Sequence, residues 1–346
     1  MTSAPISPPL SCSPCLACGK TAHRVWVEYP GYVRPDVFDI YRCPQCNTSF
    51  ALPMESKAPV YEWIYHNMRQ LNGYSEYLRL AKEIRFRRNP LRTLTKWSST
   101  YWGVAKAIEH LPPSREVKIL EVGSGLGYLT YALCKTGYDA VGLDISRRAV
   151  DDARRRFGVH YVCDDLLAFA AEHVQKFDAV IMTELLEHVP DIFGLLLAAK
   201  SCLREAGKII ITTPNIESLP PGALWISDAP PVHLWCFSPA SFLAIGARID
   251  CRVNFIDLRP SGLDLPLESF LALDHTKPQR SPSFDSQGHV LLRRSFPDRI
   301  RTLLDDMLAD AGILRVTRCA KTRLRSRFAR RRFGSTPTGL CAQLSP

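Results

Sequence analysis

The chain has 346 residues, of which 46% are hydrophobic and 23% charged, with a formal net charge of +10. This is globular composition, which excludes a fibrous or wholly disordered chain, and the length suits two domains or one domain with an appendage. No run approaches the roughly 18 apolar residues of a membrane-crossing helix, and the first residues lack a basic start followed by an apolar core, so a cytoplasmic protein with no transmembrane segment is expected. The charge is concentrated: nine basic residues and no acidic one lie between Arg315 and Arg332, which accounts for nearly all of the excess.

Residues 1–14 are rich in Pro and Ser and are predicted to be disordered. Residues 15–55 are predicted to form a small metal-bound ribbon. Five of the 12 cysteines fall in the first 46 residues: Cys12, Cys15, Cys18, Cys43 and Cys46. A reducing compartment keeps thiols free, so the cluster points to metal binding and not to disulfides. Cys15-x2-Cys18 and Cys43-x2-Cys46 are separated by 24 residues. Each pair offers two thiolates from one tight turn, and four thiolates close a zinc tetrahedron, which makes the Zn(II) structural. Such a short segment cannot bury enough apolar surface to fold without help. Cys12 could replace Cys15 by a shift in register, but Gly19 after Cys18 favours the Cys15/Cys18 pair.

Residues 56–112 are predicted to be a helical lid or linker carrying Tyr61, Trp63, Tyr65, Tyr74, Tyr77, Trp97, Tyr101 and Trp102. Tyr61, Tyr65, Tyr74 and Tyr77 offer hydroxyls and ring faces to a sugar or ring. The alternative is that they pack the segment onto the ribbon and a sheet. From residue 113 to 258 strands and helices alternate. Strands are predicted at 117–122, 139–144, 159–163, 177–183 and 207–214, with helices from about 128, over 146–157 and over 191–205. A further helix lies around 238–247 and a strand at 252–258. Alternation of this kind implies an α/β fold, a doubly wound and mostly parallel sheet with right-handed crossovers. Residues 259–314 form an extension, with an amphipathic helix predicted over 296–312. Residues 315–346 form a basic tail.

Glu121-Val-Gly123-Ser124-Gly125-Leu-Gly127 follows the first of these strands and opens a helix. Glycines there permit a sharp turn and close approach of a ligand to backbone. The G-x-G-x-G spacing departs from the dinucleotide fingerprint G-x-G-x-x-G. Asp144 ends the second strand, where a carboxylate accepts both hydroxyls of a ribose; it could also cap the next helix, a task Ser146 suits better. Asp164 and Asp165 end the third strand, placed for an adenine amine. Glu184, Glu187 and His188 follow the fourth.

ILEVGSGLG, GYDAVGLD, CDDLLAF, FDAVIMTELLEHVPD and GKIIITTPN resemble, in order, the motifs of class I S-adenosylmethionine-dependent methyltransferases. The EHVPD form is similar to the branch of ubiquinone-biosynthesis O-methyltransferases and sugar methyltransferases. The likeness spans about residues 95–255. A zinc ribbon followed by helices also resembles a subset of bacterial methyltransferases linked to polysaccharide or natural-product pathways. The resemblance implies a Rossmann-like fold and S-adenosyl-L-methionine as cofactor. It implies that Glu121 and the Gly123, Ser124, Gly125 and Gly127 backbone hold the methionine part, and that Asp144, with Ile145 beside it, binds the ribose. Asp164 or Asp165 meets the adenine, with Asp165 favoured because it precedes Leu166. Glu184 sits at the rim between cofactor and substrate.

Methyl transfer from a sulfonium is an in-line displacement, so the protein mainly supplies alignment. A hydroxyl acceptor also needs a base, and a His near neutrality serves. His188 follows the fourth strand, with Glu187 beside it. His233 lies in PPVHLWCFSP after the fifth, where similar enzymes carry a His-aromatic-Phe-Ser/Thr-Pro segment. Glu187 and His188 could instead cap the loop. Trp225, Trp235 and Phe237 line a substrate wall or pack in the core. The expected substrate is a small molecule, a sugar, nucleotide-sugar or quinone-like ring. The alternatives are a tRNA- or RNA-modifying enzyme and a catalytically inactive binding module. Base-amino methyltransferases carry an Asn/Asp-Pro-Pro-aromatic segment where this chain has Glu184-Leu-Leu-Glu187. The only Pro-Cys pair is Pro14-Cys15, so a cytosine-C5 nucleophile is missing. The basic run 315–332 is expected to touch an anionic membrane surface or RNA, placing the protein at the membrane periphery, or to be simply solvated.

Overall fold

The computed structural model describes residues 11–71, 74–219, 223–225, 229–263, 270–272, 282–291, 304, 307 and 339–346. Strands β1 (Cys12–Pro14), β2 (Thr21–Pro30), β3 (Val37–Arg42) and β4 (Ser49–Leu52) form an antiparallel ribbon. Cys12, Ser13 and Pro14, expected to be disordered, instead pair with His23, Ala22 and Thr21; residues 1–10 lie outside the described residues. Helices α1 (Ala58–Asn67), α2 (Tyr74–Glu83), α3 (Pro90–Trp97) and α4 (Ser99–Ala107) follow.

The alternating region then unfolds in chain order: β5 (Lys118–Val122), α5 (Tyr128–Thr136), β6 (Asp139–Asp144), α6 (Arg147–Phe157), β7 (Tyr161–Cys163), α7 (Leu166–Glu172), β8 (Phe177–Thr183), α8 (Ile192–Cys202) and β9 (Leu203–Pro214). Polar side chains start α6, α7 and α8. Ser146 accepts from the amide of Ala149, Asp165 from Leu167 and Asp191 from Gly194. The helix expected over 191–205 stops at Cys202, and Leu203 already pairs with Phe177. Next come β10 (Ala223–Trp225), β11 (Trp235–Cys236), α9 (Pro239–Arg248) and β12 (Arg252–Phe255). A capping box between Ser238 and Ser241, with Pro239 in the first turn, opens α9. β13 (Phe270–Ala272) pairs with β10, and β14 (Gly339–Ser345) ends the chain.

The large sheet has the order β12-β14-β9-β8-β5-β6-β7. Its five strands from β9 to β7 are parallel, and β14 runs antiparallel to both β9 and β12. Ile119, Leu120, Val180, Ile181, Ile209 and Ile211 are fully buried along the middle strands, as a sheet covered on both faces requires. The parallel strands point their carboxyl ends at one edge, where the glycine loop, Asp144 and Glu184 all sit.

Two findings revise the expected boundaries. First, the sheet does not end at residue 258. Residues 339–345, read from sequence as part of a basic tail, are an inner strand with Cys341, Ala342 and Leu344 buried. Residues 256–338 thus lie between two strands of one sheet. The amphipathic helix expected over 296–312 and the basic run 315–332 lie outside the described residues, save for Leu304 and Met307. Second, β11 pairs not with the large sheet but with β4, Trp235 opposite Phe50 and Cys236 opposite Ser49. The ribbon's sheet is therefore finished by the loop that follows β9. Among the described residues no helix is long and apolar enough to cross a membrane.

Ending the chain after Leu314 removes β14 and opens β9 and β12. The cooperative thermal transition is expected to be lost, whereas replacing 315–332 by a neutral linker of equal length should keep it. A truncated chain that melts like the full protein would contradict this sheet order.

Candidate active site

The glycine loop is built by the turn between β5 and α5. The amides of Gly123 and Ser124 both donate to the carbonyl of Leu143 (2.8 and 3.0 Å), tying the loop to β6. Gly125 has φ +49°, and a Cβ there would lie 3.3 Å from the Tyr65 hydroxyl. Gly127 has φ +80°, and its Cβ would fall 2.6 Å from Ala153 and 2.7 Å from the Tyr161 ring. Any side chain at 127 would push α5 off its neighbours. Asp144 braces this loop from the next strand. Its Oδ2 accepts from the Gly125 amide at 2.7 Å and its Oδ1 from the Ser146 amide at 2.8 Å. Burial raises the Asp144 carboxyl against the pull of those two amides.

Two further carboxyls are held back from ionising at the same edge. Glu121 is buried, accepts from the Thr130 hydroxyl, and is pushed up to about 8 by burial. Glu184 has φ +49°, is pushed up by burial to about 7, and accepts from the Thr100 hydroxyl at 3.4 Å. Ser124 is buried in the loop, and Ile145 projects an apolar side chain that is 72% exposed beside Asp144. Asp164 and Asp165 lie at the rim, but unequally. Asp165 spends Oδ1 capping α7 through the Leu167 amide (2.8 Å), while Asp164 accepts from the Asp165 amide.

The second cluster is Glu187, His188 and His233. One donor atom from each lies within 4.8 Å of the others. His188 Nδ1 is 2.7 Å from the carbonyl of Val232, an acceptor, so Nδ1 carries the proton and the lone pair belongs to Nε2. Burial lowers the His188 imidazole, opposed by the carbonyls of Val232 and Glu184. The His188 and His233 rings meet edge to face at 4.5 Å. Glu187 is buried, and its Oε2 accepts from the Thr213 hydroxyl at 3.0 Å.

Helix α1 lies across both clusters. Tyr65 stands over Gly125, and Glu62 accepts from the Ser146 hydroxyl at 3.1 Å. The Tyr61 hydroxyl donates to the Val232 carbonyl at 3.4 Å, and its ring stands edge-on to His188 at 6.2 Å. The lid expectation thus divides. Tyr61 and Tyr65 face the site, while Tyr74 and Tyr77 pack on each other and Tyr77 packs on Trp97. Glu62, Thr100 and the Tyr101–Tyr128 hydroxyl pair (2.6 Å) went unread in the sequence. The spacing of Tyr61, Glu62 and Tyr65 marks one face of α1, but which surface that face would cover depends on the ribbon's docking. Trp235 and Phe237 are not a substrate wall. Both are buried and stack at 5.8 Å, and Trp235 Nε1 donates to the Val189 carbonyl. The Trp225 side chain lies outside the described residues.

The four cysteines converge as their spacing requires. Cys15 and Cys46 sulfurs are 3.6 Å apart, as are those of Cys18 and Cys43, and all four lie within 4.8 Å. Tetrahedral Zn–S bonds of about 2.3 Å give sulfur separations of about 3.8 Å, so the donor set fits zinc. Cys12 is exposed and stands outside the group, its sulfur 3.8 Å from His23 Nδ1, which settles the register in favour of Cys15.

A family model described as a methyltransferase domain matches residues 76–253, more than half of the chain. The chain belongs to the methyltransferase-domain family. Its glycine loop, Asp144 and the Glu184–His188 turn all fall inside that match. The chain is 31% identical over 103 residues to a ubiquinone biosynthesis O-methyltransferase of Proteus mirabilis, covering 28% of this chain and 42% of the relative. It is 29% identical over 154 residues to the enzyme of that name from Xanthomonas axonopodis, covering 39% and 64%. The chain thus spans about half the length of the curated relatives it matches. A methyltransferase of Archaeoglobus fulgidus is similar at 16% identity with a TM-score of 0.41, over 70% of this chain and 93% of the other.

The raised carboxyls set a pH dependence. Glu121 is protonated in the folded chain up to about 8 but ionises near its ordinary 4.5 when unfolded. Between those values the native state holds the extra proton, so stability falls as pH rises. His188 acts the other way, losing stability as pH drops below its ordinary 6.5. Urea unfolding of Glu121→Gln is expected to flatten the decline between these two carboxyl values; an unchanged slope would contradict burial as its cause.

Proposed function

We propose that the protein is an S-adenosyl-L-methionine-dependent methyltransferase acting on a small hydroxyl-bearing molecule. The observation that carries this is the placing of two imidazoles beside the carboxyl edge of a glycine-loop sheet, under one lid. Open α/β sheets bind ligands at that edge. In this reading the Gly123–Gly127 backbone and Glu121 hold the methionine part, and Asp144 accepts the ribose hydroxyls while Ile145 flanks the adenine. Asp164 takes the adenine role that the sequence favoured for Asp165, since Asp165 is occupied as a helix cap. Tyr65 and Glu62 close the pocket from above, and Glu184 borders the acceptor.

S-adenosyl-L-methionine brings an activated methyl on a cationic sulfonium. A cation favours the ionised form of carboxyls that burial holds back, so Glu121 and Glu184 gain by its arrival. His188, fixed through its Nδ1 proton, and His233 against it form the pair that takes the acceptor's proton. Glu187 stabilises the imidazolium that results. The names of the relatives support a phenolic, quinone-like acceptor over a sugar or nucleotide-sugar hydroxyl. The cysteine knuckle carries structural Zn(II); with four thiolates it has no open position for chemistry. The run 315–332 is proposed to rest on an anionic membrane surface from the cytoplasmic side; in chain order it is an internal segment, and RNA is its alternative ligand.

S-adenosylhomocysteine at about 100 times its dissociation constant is expected to stabilise the fold by about 2.7 kcal/mol. With an acceptor found from a panel of catechols and nucleotide sugars, His188→Gln and His233→Gln together should lower kcat by about 10²–10⁴-fold while product affinity stays unchanged. Full turnover in the double variant would exclude the pair as the base. Metal analysis of the isolated protein should find about one zinc per chain.

A further inference from the structure

The cysteine knuckles touch more than their own ribbon. The Cys46 carbonyl accepts from the hydroxyls of Ser238 (2.9 Å) and Ser241 (3.2 Å) at the start of α9. The Thr48 hydroxyl donates to Ser241 Oγ at 2.7 Å, and all three side chains are buried. At the other end of α9, the Arg248 guanidinium donates to the carbonyls of Leu16 and Ala17 (2.7 and 2.9 Å), inside the first knuckle. One helix is therefore gripped at both ends, once by each cysteine pair.

The same ribbon reaches the imidazole pair through β4. The Ala51 amide donates to the Leu234 carbonyl at 2.9 Å. On its other side Leu234 donates to the Glu187 carbonyl at 2.8 Å. Trp235 Nε1 donates to the Val189 carbonyl, and the Val232 carbonyl takes the His188 Nδ1 proton. Residues 232–236 are thus a strap, held by the ribbon along one edge and holding Glu187–Val189 along the other. His233 sits in the middle of it.

We propose that the metal-bound knuckle is a positioning device for the His188–His233 pair: the metal fixes β4, β4 fixes the strap, and the strap sets the two rings against each other. Thr48 and Ser241 are its positioning residues. The proposal rests on the methyltransferase reading for the use of the rings, but not for the coupling itself. Without a metal four thiols cannot hold a ribbon of this size in shape, so metal-binding free energy is spent on the strap as well as on the ribbon. The cofactor floor is separate. Gly123 and Ser124 are tied to Leu143 and Gly125 to Asp144, within the large sheet.

Hydrogen exchange of the full-length protein tests this, comparing the zinc-loaded form with one stripped by chelator under reducing conditions. Stripping should speed exchange in 185–190 and 229–238 by about tenfold or more, with β5 and β6 still protected. S-adenosylhomocysteine affinity, by titration calorimetry, should change by less than about threefold, well under the 1.4 kcal/mol of a tenfold change. The zinc-loaded Thr48→Val/Ser241→Ala variant should keep one zinc per chain yet shift the His188 Nδ1–H resonance, a signature that general loss of stability would leave in place. If stripping unfolds the whole chain, this variant decides alone. Unchanged exchange in the strap with an unchanged resonance overturns the coupling. A wild-type protein that binds no S-adenosylhomocysteine sinks the methyltransferase reading instead and leaves the exchange result to stand by itself.

Discussion

The pairing of β4 with β11 is the constraint on which the site depends. Two residue pairs, Trp235 with Phe50 and Cys236 with Ser49, join a sheet stabilised by four cysteines to a loop that leaves a parallel sheet. The two sheets share one continuous core. The imidazole pair draws on both sides of that core, because His188 is supplied by the turn after β8 and His233 by the loop after β9. Loops are mobile unless something ties them. Here the tie is a third element, the ribbon, which makes the distance between the two rings a property of the docked whole.

The cofactor edge follows a different logic. There the geometry is local: adjacent parallel strands deliver Glu121, Asp144 and Glu184 to one edge because their register is shared. What makes the edge receptive is burial. Three carboxyls are raised together by it. The lid helix α1 completes both halves, with Tyr65 over the glycine loop and Tyr61 over His188. One element therefore touches both clusters.

Much of this was legible in the sequence, and the reason is locality. The glycine loop, the acids that end strands and the two cysteine pairs each act within a few residues, so spacing alone places them. The strands from β5 to β9 are apolar runs between turn signals and read directly. β14 did not, because GLCAQLS lies beyond residues 256–338 and owes its place to a gap between β9 and β12 that only the folded sheet presents. Trp235 and Phe237 suit a substrate wall or the core equally in sequence, and only the packing of Trp235 on Phe50 and of Phe237 on Phe242 decides for the core. Asp164 and Asp165 are chemically equal in sequence, and only the start of α7 at Leu166 separates their duties. The net charge of +10 shows the same limit: it resides in a segment of the chain, yet that segment is no tail, since a buried strand follows it.

On the proposed reading, cofactor edge and imidazole pair are one active site held in register by the ribbon. A crystal structure of the zinc-loaded protein with S-adenosylhomocysteine tests it most directly. The ribose is expected on Asp144, the adenine between Ile145 and Asp164, and the sulfur directed toward His188 and His233 beneath Tyr61. A cofactor product bound elsewhere, or bound with its sulfur turned away from both rings, would contradict it.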